Sequence, residues 1–112
     1  MEIIFKRDDR SITLSEVLAI LNAKRTAFHK RENNFGQPEI LVAEIGTKYI
    51  RLVSRRNADE KHGSAYAFLD RDWNIYKAAG WKAPAKGIRG SVFQPDCGWG
   101  KALGPYGAAY LR

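Results

Sequence analysis

Tyr49, Arg51, Val53 and Arg55 alternate with Ile50, Leu52 and Ser54 along the run Lys48–Arg56. A strand projects every second side chain to the same side, so one ring and two guanidinium groups share a surface there. Nucleobases stack on such rings for roughly 1–3 kcal/mol each, and arginines neutralise adjacent phosphates. Lys48 and Arg56 extend the charge at either end of the run. The same pattern also suits an ordinary solvated strand face that happens to carry a tyrosine, and both readings stand at this point.

A second constellation is Trp81-Lys82-Ala83-Pro84-Ala85-Lys86-Gly87-Ile88-Arg89-Gly90. Lys82, Lys86 and Arg89 are separated by small residues, glycine and proline, which let backbone approach a phosphate chain closely. Trp81 supplies a stacking surface at one end, unless it serves as a core anchor. No acid lies between Lys77 and Arg89, and Lys101 adds a further cation downstream. The candidate nucleic-acid-binding set is therefore Lys48, Tyr49, Arg51, Arg55, Arg56, Lys77, Trp81, Lys82, Lys86, Arg89 and Lys101.

Residues for covalent or acid–base chemistry are sparse. His29 and His62 lie far apart, and neither neighbours Cys97 or an acid in a catalytic motif. Zinc sites draw on clusters such as CxxC or HExxH, which do not occur. Asp70 and Asp72 flank Arg71 as turn residues do. Gly98-Trp99-Gly100-Lys101 has a phosphate-loop look, but that motif needs glycine where Pro95 stands and Ser or Thr where Ala102 stands. The expectation is a non-enzyme with no catalytic residues, no metal and no cofactor.

The net charge of +7 is unevenly spread. Residues 1–47 carry seven basic and seven acidic residues, whereas residues 48–112 carry twelve and five. Segregation of this kind produces a one-sided positive field, the footprint of a polyanionic partner. No apolar run is long enough to span a membrane, and Met1–Lys6 lacks the pattern of a secretory signal. A single cysteine, Cys97, fits a reducing compartment, so the expected address is the cytoplasm with no membrane partner.

The elements that must position these groups are partly legible. Thr13-Leu14-Ser15-Glu16 matches a capping box, and Leu14, Val17, Leu18, Leu21 and Phe28 follow at helical spacing. The helix is expected to stop near Glu32, before the loop residues 33–38. Strands are expected at Glu2–Lys6, Ile40–Ile45, Lys48–Arg56, Ser64–Leu69 and Trp73–Ala78, with polar turns at Arg7–Arg10, Asn57–Gly63 and Asp70–Asp72. The close spacing of the last four strands predicts an antiparallel meander. Residues 80–112 hold seven of the ten glycines and three of the four prolines, with five aromatic residues. They read as irregular but ordered, with a short strand at Gly90–Phe93. The whole is predicted to be one α+β domain: a neutral helix-bearing scaffold (1–47) and a basic sheet with its C-terminal segment (48–112).

One resemblance adds to this. A strand ending at Asp70, the Ile75-Tyr76-Lys77 strand, the Trp81–Gly90 segment and Gly104-Pro105-Tyr106-Gly107 together resemble small uncharacterised proteins of tailed bacteriophages. The resemblance covers residues 48–112 and implies a phage origin and expression in the cytoplasm of an infected bacterium. It carries over no activity. The leading expectation is a binder of single-stranded DNA or RNA with little sequence specificity. The alternative is a protein–protein module that redirects a host bacterial enzyme through its aromatic C-terminal segment. Exposed sheet edges would also allow a homodimer.

Overall fold

The computed structural model describes residues 3–32, 39–57, 63–105 and 107–108. The expected loop at 33–38 lies outside them, as do residues 58–62 of the expected Asn57–Gly63 loop (with His62), Tyr106 and Tyr110. Thr13 opens helix α1 (Leu14–Arg31), and both halves of its capping box form. The Glu16 amide donates to Thr13 Oγ1 at 3.1 Å, and the Thr13 amide donates to Glu16 Oε1 at 3.0 Å. Two otherwise orphaned N–H groups are thereby satisfied. His29, Lys30 and Arg31 occupy the last turn, where cations meet the negative end of the helix dipole. Leu14, Val17 and Leu21 are buried and Leu18 is partly so, as the spacing predicts, whereas Phe28 is only half-buried and lies outside this core.

Before the helix the chain makes a hairpin, β1 (Ile4–Arg7) with β2 (Arg10–Thr13). Only the first of these strands is legible in the sequence. Arg10-Ser11-Ile12-Thr13 is too polar and short to show a strand period, and pairing with β1 is what makes it extended. Asp8 turns the hairpin at φ 56°, a conformation that aspartate tolerates better than most residues. Phe5 plugs the core, and Arg7 and Arg10 lie over the rings of Trp73 and Phe93 at 5.6 and 5.2 Å.

The main sheet has five antiparallel strands, one more than expected. These are β3 (Ile40–Ile45), β4 (Tyr49–Arg55), β5 (Ser64–Asp70), β6 (Asn74–Ala78) and β7 (Pro84–Ser91), paired in sequence order. In place of a short strand at Gly90–Phe93, the Pro84–Ser91 segment forms an eight-residue edge strand. An edge tolerates proline at its first residue and bulges within it, so the signals that read as irregular are those of an edge. Gly87 sits at φ 97° in such an irregularity. Beyond β7, a 3-10 turn (Pro95–Gly98) leads to a small pair, β8 (Leu103–Gly104) with β9 (Gly107–Ala108). Val92, Ala102, Leu103 and Ala108 from this region join the core between α1 and the sheet, alongside Leu41, Ile50, Leu52, Leu69 and Ile75.

Arg25 pins the layers together. Its guanidinium donates to the Pro105 carbonyl at 3.2 Å and to Ser54 Oγ at 2.9 Å, and lies 5.2 Å from the Tyr66 ring centre. Burial lowers its pKa from the usual value, opposed by Tyr66 and Glu39. Both outer edges of the sheet also carry plugs. Asn22 on α1 pairs its amide with β3, accepting from the Leu41 N–H at 2.7 Å and donating to the Leu41 carbonyl at 3.1 Å. On β7, Arg89 donates to the carbonyls of Lys86 and Gly87 at 2.9 Å each. These side chains occupy backbone groups that strand-to-strand pairing would need.

Replacing Asn22 with Ala leaves the two Leu41 groups without their partner. Urea denaturation is expected to show a loss of about 1–3 kcal/mol with an unchanged slope. An unshifted midpoint would mean that water serves that edge equally well.

Candidate nucleic-acid interface

Helix α1 covers one face of the sheet only. On the other, register alone assembles a row across all five strands: Glu44, Arg51, Phe68, Tyr76 and Ile88 are successive cross-strand partners. Tyr49, Val53 and Arg55 stand on the same face of β4, as their alternation predicts. Val53 and Phe68 are buried here although no helix among the described residues lies over them.

The two arginines of β4 are committed within the protein. Glu44 Oε1 accepts from Arg51 Nε at 2.9 Å and also from Arg51 Nη2, and Glu44 Oε2 accepts from Arg55 Nη2 at 2.6 Å. Sequence reasoning passes over Glu44. The tight turn after Ile45 sets the register that brings it opposite Arg51, seven residues on.

Arg51 reaches one step further. The loop between β6 and β7 folds back over the sheet, closed by the Ala79 N–H donating to the Ala83 carbonyl at 3.1 Å. Arg51 Nη1 donates to the Trp81 carbonyl at 2.8 Å, and its guanidinium lies 4.0 Å from the Trp81 ring centre. Trp81 is nevertheless 40% exposed. The result is a chain of contacts, Arg55–Glu44–Arg51–Trp81, that holds an indole at the surface with a guanidinium stacked against it. Cation–π contacts of this sort contribute ~0.5–2 kcal/mol depending on solvation.

The folded-back loop also brings Lys82 to the opposite end of the face. Lys82 lines a shallow cup of about 250 Å³ with Glu44, Gly46, Lys48, Tyr49, Arg51 and Phe68. Lys48 Nζ lies 5.4 Å from the Tyr49 ring centre. The remaining candidates are more dispersed. Lys86 is exposed on β7, while Arg89 is turned onto its own backbone. Arg56 is exposed just past β4, and Lys77 is half-buried on β6. Lys101 belongs elsewhere: with Trp99, Phe28 and Arg31 it lines a separate hollow of about 350 Å³ beside the helix C-terminus. Of the eleven candidates, the outer face brings together Lys48, Tyr49, Arg51, Arg55, Trp81 and Lys82.

Tyr49 leans edge-on against Tyr76, with ring centres 5.6 Å apart, and Tyr76 is tied to Asp70. The Asp70 carboxylate accepts from the Tyr76 hydroxyl at 2.8 Å, from Asn74 Nδ2 and N–H at 3.0 Å each, and from the Asp72 N–H at 2.9 Å. It is a turn clamp, as the Asp70–Asp72 sequence suggests, and it holds Trp73 at φ 70°. Among the described residues no three His, Cys, Asp or Glu side chains gather as a metal site. Nor is any described helix long and apolar enough to cross a membrane. Cys97 is buried, and burial pushes its thiol up to about 11.

An α+β protein with one helix, a five-stranded antiparallel sheet and an aromatic–cationic outer face is what these elements define. The chain belongs to a family of unknown function (DUF7717), whose model matches residues 7–99 and so includes the whole sheet and Trp81. No curated protein and no solved structure matches it.

The clamp sets a pH dependence. Burial would raise the Asp70 pKa, but its four hydrogen bonds outweigh this and hold it below the ordinary 3.8. Its contribution to stability is therefore present above that value and lost as pH falls below it. The bond to Asp70, then burial, pushes Tyr76 from 10.0 up to about 12, so its contribution is present below pH 10.0 and lost as pH climbs towards 12. Tyr76→Phe is expected to lower the neutral plateau and make both limbs of the stability–pH curve shallower, as read by urea denaturation across the pH range. Two unchanged limbs would refute the coupling.

Proposed function

We propose that the protein is a non-enzymatic binder of single-stranded nucleic acid, DNA or RNA. One base stacks on Trp81, and the lysines Lys48, Lys82 and Lys86 meet phosphates. The observation that carries this reading is the placement of Trp81, exposed yet backed at 4.0 Å by an arginine that is itself anchored to Glu44. A ring held in place from behind loses little freedom when a base lands on it, and stacking of this kind is tolerant of sequence. The flanking lysines supply the salt-dependent part of the affinity. In this reading the chain is of phage origin and acts in the cytoplasm of an infected bacterium, as the resemblance over residues 48–112 implies. A second reading, a module that contacts a host protein, draws on two exposed apolar side chains, Ile88 (52%) opposite Tyr76 on the outer face and Ile45 (56%) at the end of β3. Retention of a host protein from nuclease-treated lysate, without oligonucleotide binding, would favour it.

The two ingredients separate experimentally. In a salt series with a labelled single strand, Lys48→Ala with Lys82→Ala is expected to lower the log–log slope by about 1.4, at about 0.7 for each phosphate no longer neutralised. Trp81→Ala is expected to cost about 1–3 kcal/mol of affinity with the slope unchanged. Absence of binding at low salt would end the reading. A slope insensitive to both lysines would move the site off this face.

A further inference from the structure

The cup next to Trp81 carries chemistry that stacking and phosphate contacts leave unused. A carboxylate offers about four acceptor positions. Arg51 Nε, Arg51 Nη2 and Arg55 Nη2 occupy three of those on Glu44, and Glu44 lines the cup, so one acceptor position remains. A guanidinium has about five N–H donors. Arg51 uses three, two on Glu44 and one on the Trp81 carbonyl, which leaves two on a side chain that also lines the cup. The cup is thus lined by a carboxylate with one acceptor position left on Oε2 and a guanidinium with two donors left, together with Ile45, the rings of Tyr49 and Phe68, Lys48 and Lys82. At about 250 Å³ it is below the ~300–1,000 Å³ of sites for drug-sized ligands, a size for one flat ring and not a whole strand.

Resting on the single-strand reading, we infer that this cup takes the base next to the one on Trp81 and selects cytosine. Cytosine presents an amino donor at N4 beside ring acceptors at N3 and O2. The donor meets the remaining Glu44 position, a pairing of acid with cytosine N4 that also occurs in groove readout. The acceptors meet Arg51 or the lysines of the cup. Thymine and uracil place a carbonyl where cytosine has its amino group, which sets an acceptor against the carboxylate. Arg51 links the two subsites, one side of it against Trp81 and the other in the cup. Neighbouring bases are thus handled by one rigid assembly, the first by stacking and the second by its hydrogen-bonding edge.

Labelled oligo-dC, oligo-dT and oligo-dU of equal length, compared at mildly alkaline pH, test this on the unmodified protein. The expected order is oligo-dC tighter than the other two by about ten-fold, the scale of one good polar base contact. The oligo-dU arm isolates the amino group from the thymine methyl. Glu44→Gln is expected to bring the dC-to-dT ratio close to one, whatever it does to the affinity for both through the Glu44–Arg51–Trp81 chain. Binding of all three with equal affinity overturns the cytosine cup and leaves single-strand binding standing. Oligo-dU binding as tightly as oligo-dC also overturns it, since the amino group is then not what is read. Binding of none overturns the single-strand reading and the cup with it.

Discussion

A five-stranded sheet has two faces, and α1 covers only one of them. Everything on the outer face follows from that shortage. Val53 and Phe68 point away from the helix yet are buried, so side chains of the outer face and the folded-back β6–β7 loop must exclude water from them. Long arginine stems do this well, because they lay methylenes along apolar surface and keep the charge outward. Two guanidiniums on one strand then repel each other unless an acid sits between them. Glu44 takes that position from the neighbouring strand, with one oxygen towards each arginine. Partly exposed ion pairs contribute ~0–1 kcal/mol, so the main effect of this arrangement is geometric. Each side chain in the group is left with one orientation.

That fixed orientation passes to Trp81. A tryptophan in a glycine-flanked loop would ordinarily sample many positions, at an entropic cost to anything that needed it in one. Here the loop is tied at its carbonyl and the ring is seated on a plane that cannot turn. The exposed indole is then a surface prepared in advance of a ligand. Covering the sheet and presenting an aromatic ring are solved by the same four residues, and a change at Glu44 is therefore felt at Trp81 without touching it.

The limits of reading this protein from sequence follow the range of the interactions involved. The capping box at Thr13, the stripe on α1 and the alternation of β4 depend on residues within a turn or two of each other, and these are legible. Strand β7 is obscured because Pro84, Gly87 and Gly90 weaken any local strand signal, and only its pairing with β6 makes the segment extended. Strand β2 escapes notice for the same reason. The aromatic–basic composition of the face can be read, but the assignment of roles cannot. Arg51 and Arg55 have the periodicity of phosphate ligands, and nothing within their own strand reveals that Glu44 pairs with both. That Trp81 lies over β4, two strands away from its own hairpin in the sheet order, is a fact of loop folding with no local trace.

A division of labour between the two kinds of cation results. The arginines of the outer face hold fixed, planar contacts: Arg51 and Arg55 on Glu44, Arg51 on Trp81. Arg89 does the same for the carbonyls of β7. A guanidinium suits this work, because its donors form a rigid fork and its flat surface stacks on rings. The lysines stand where no fixed partner is needed, at Lys48, Lys82 and Lys86 on turns and an edge strand. A compact ammonium on a flexible stem can follow a phosphate chain whose path varies with sequence. The single Glu44 carboxylate offsets one of the two guanidinium charges it contacts, so most of the unpaired charge on this face sits on its lysines. On this face the arginines fix geometry, and the lysines leave their charge free to move.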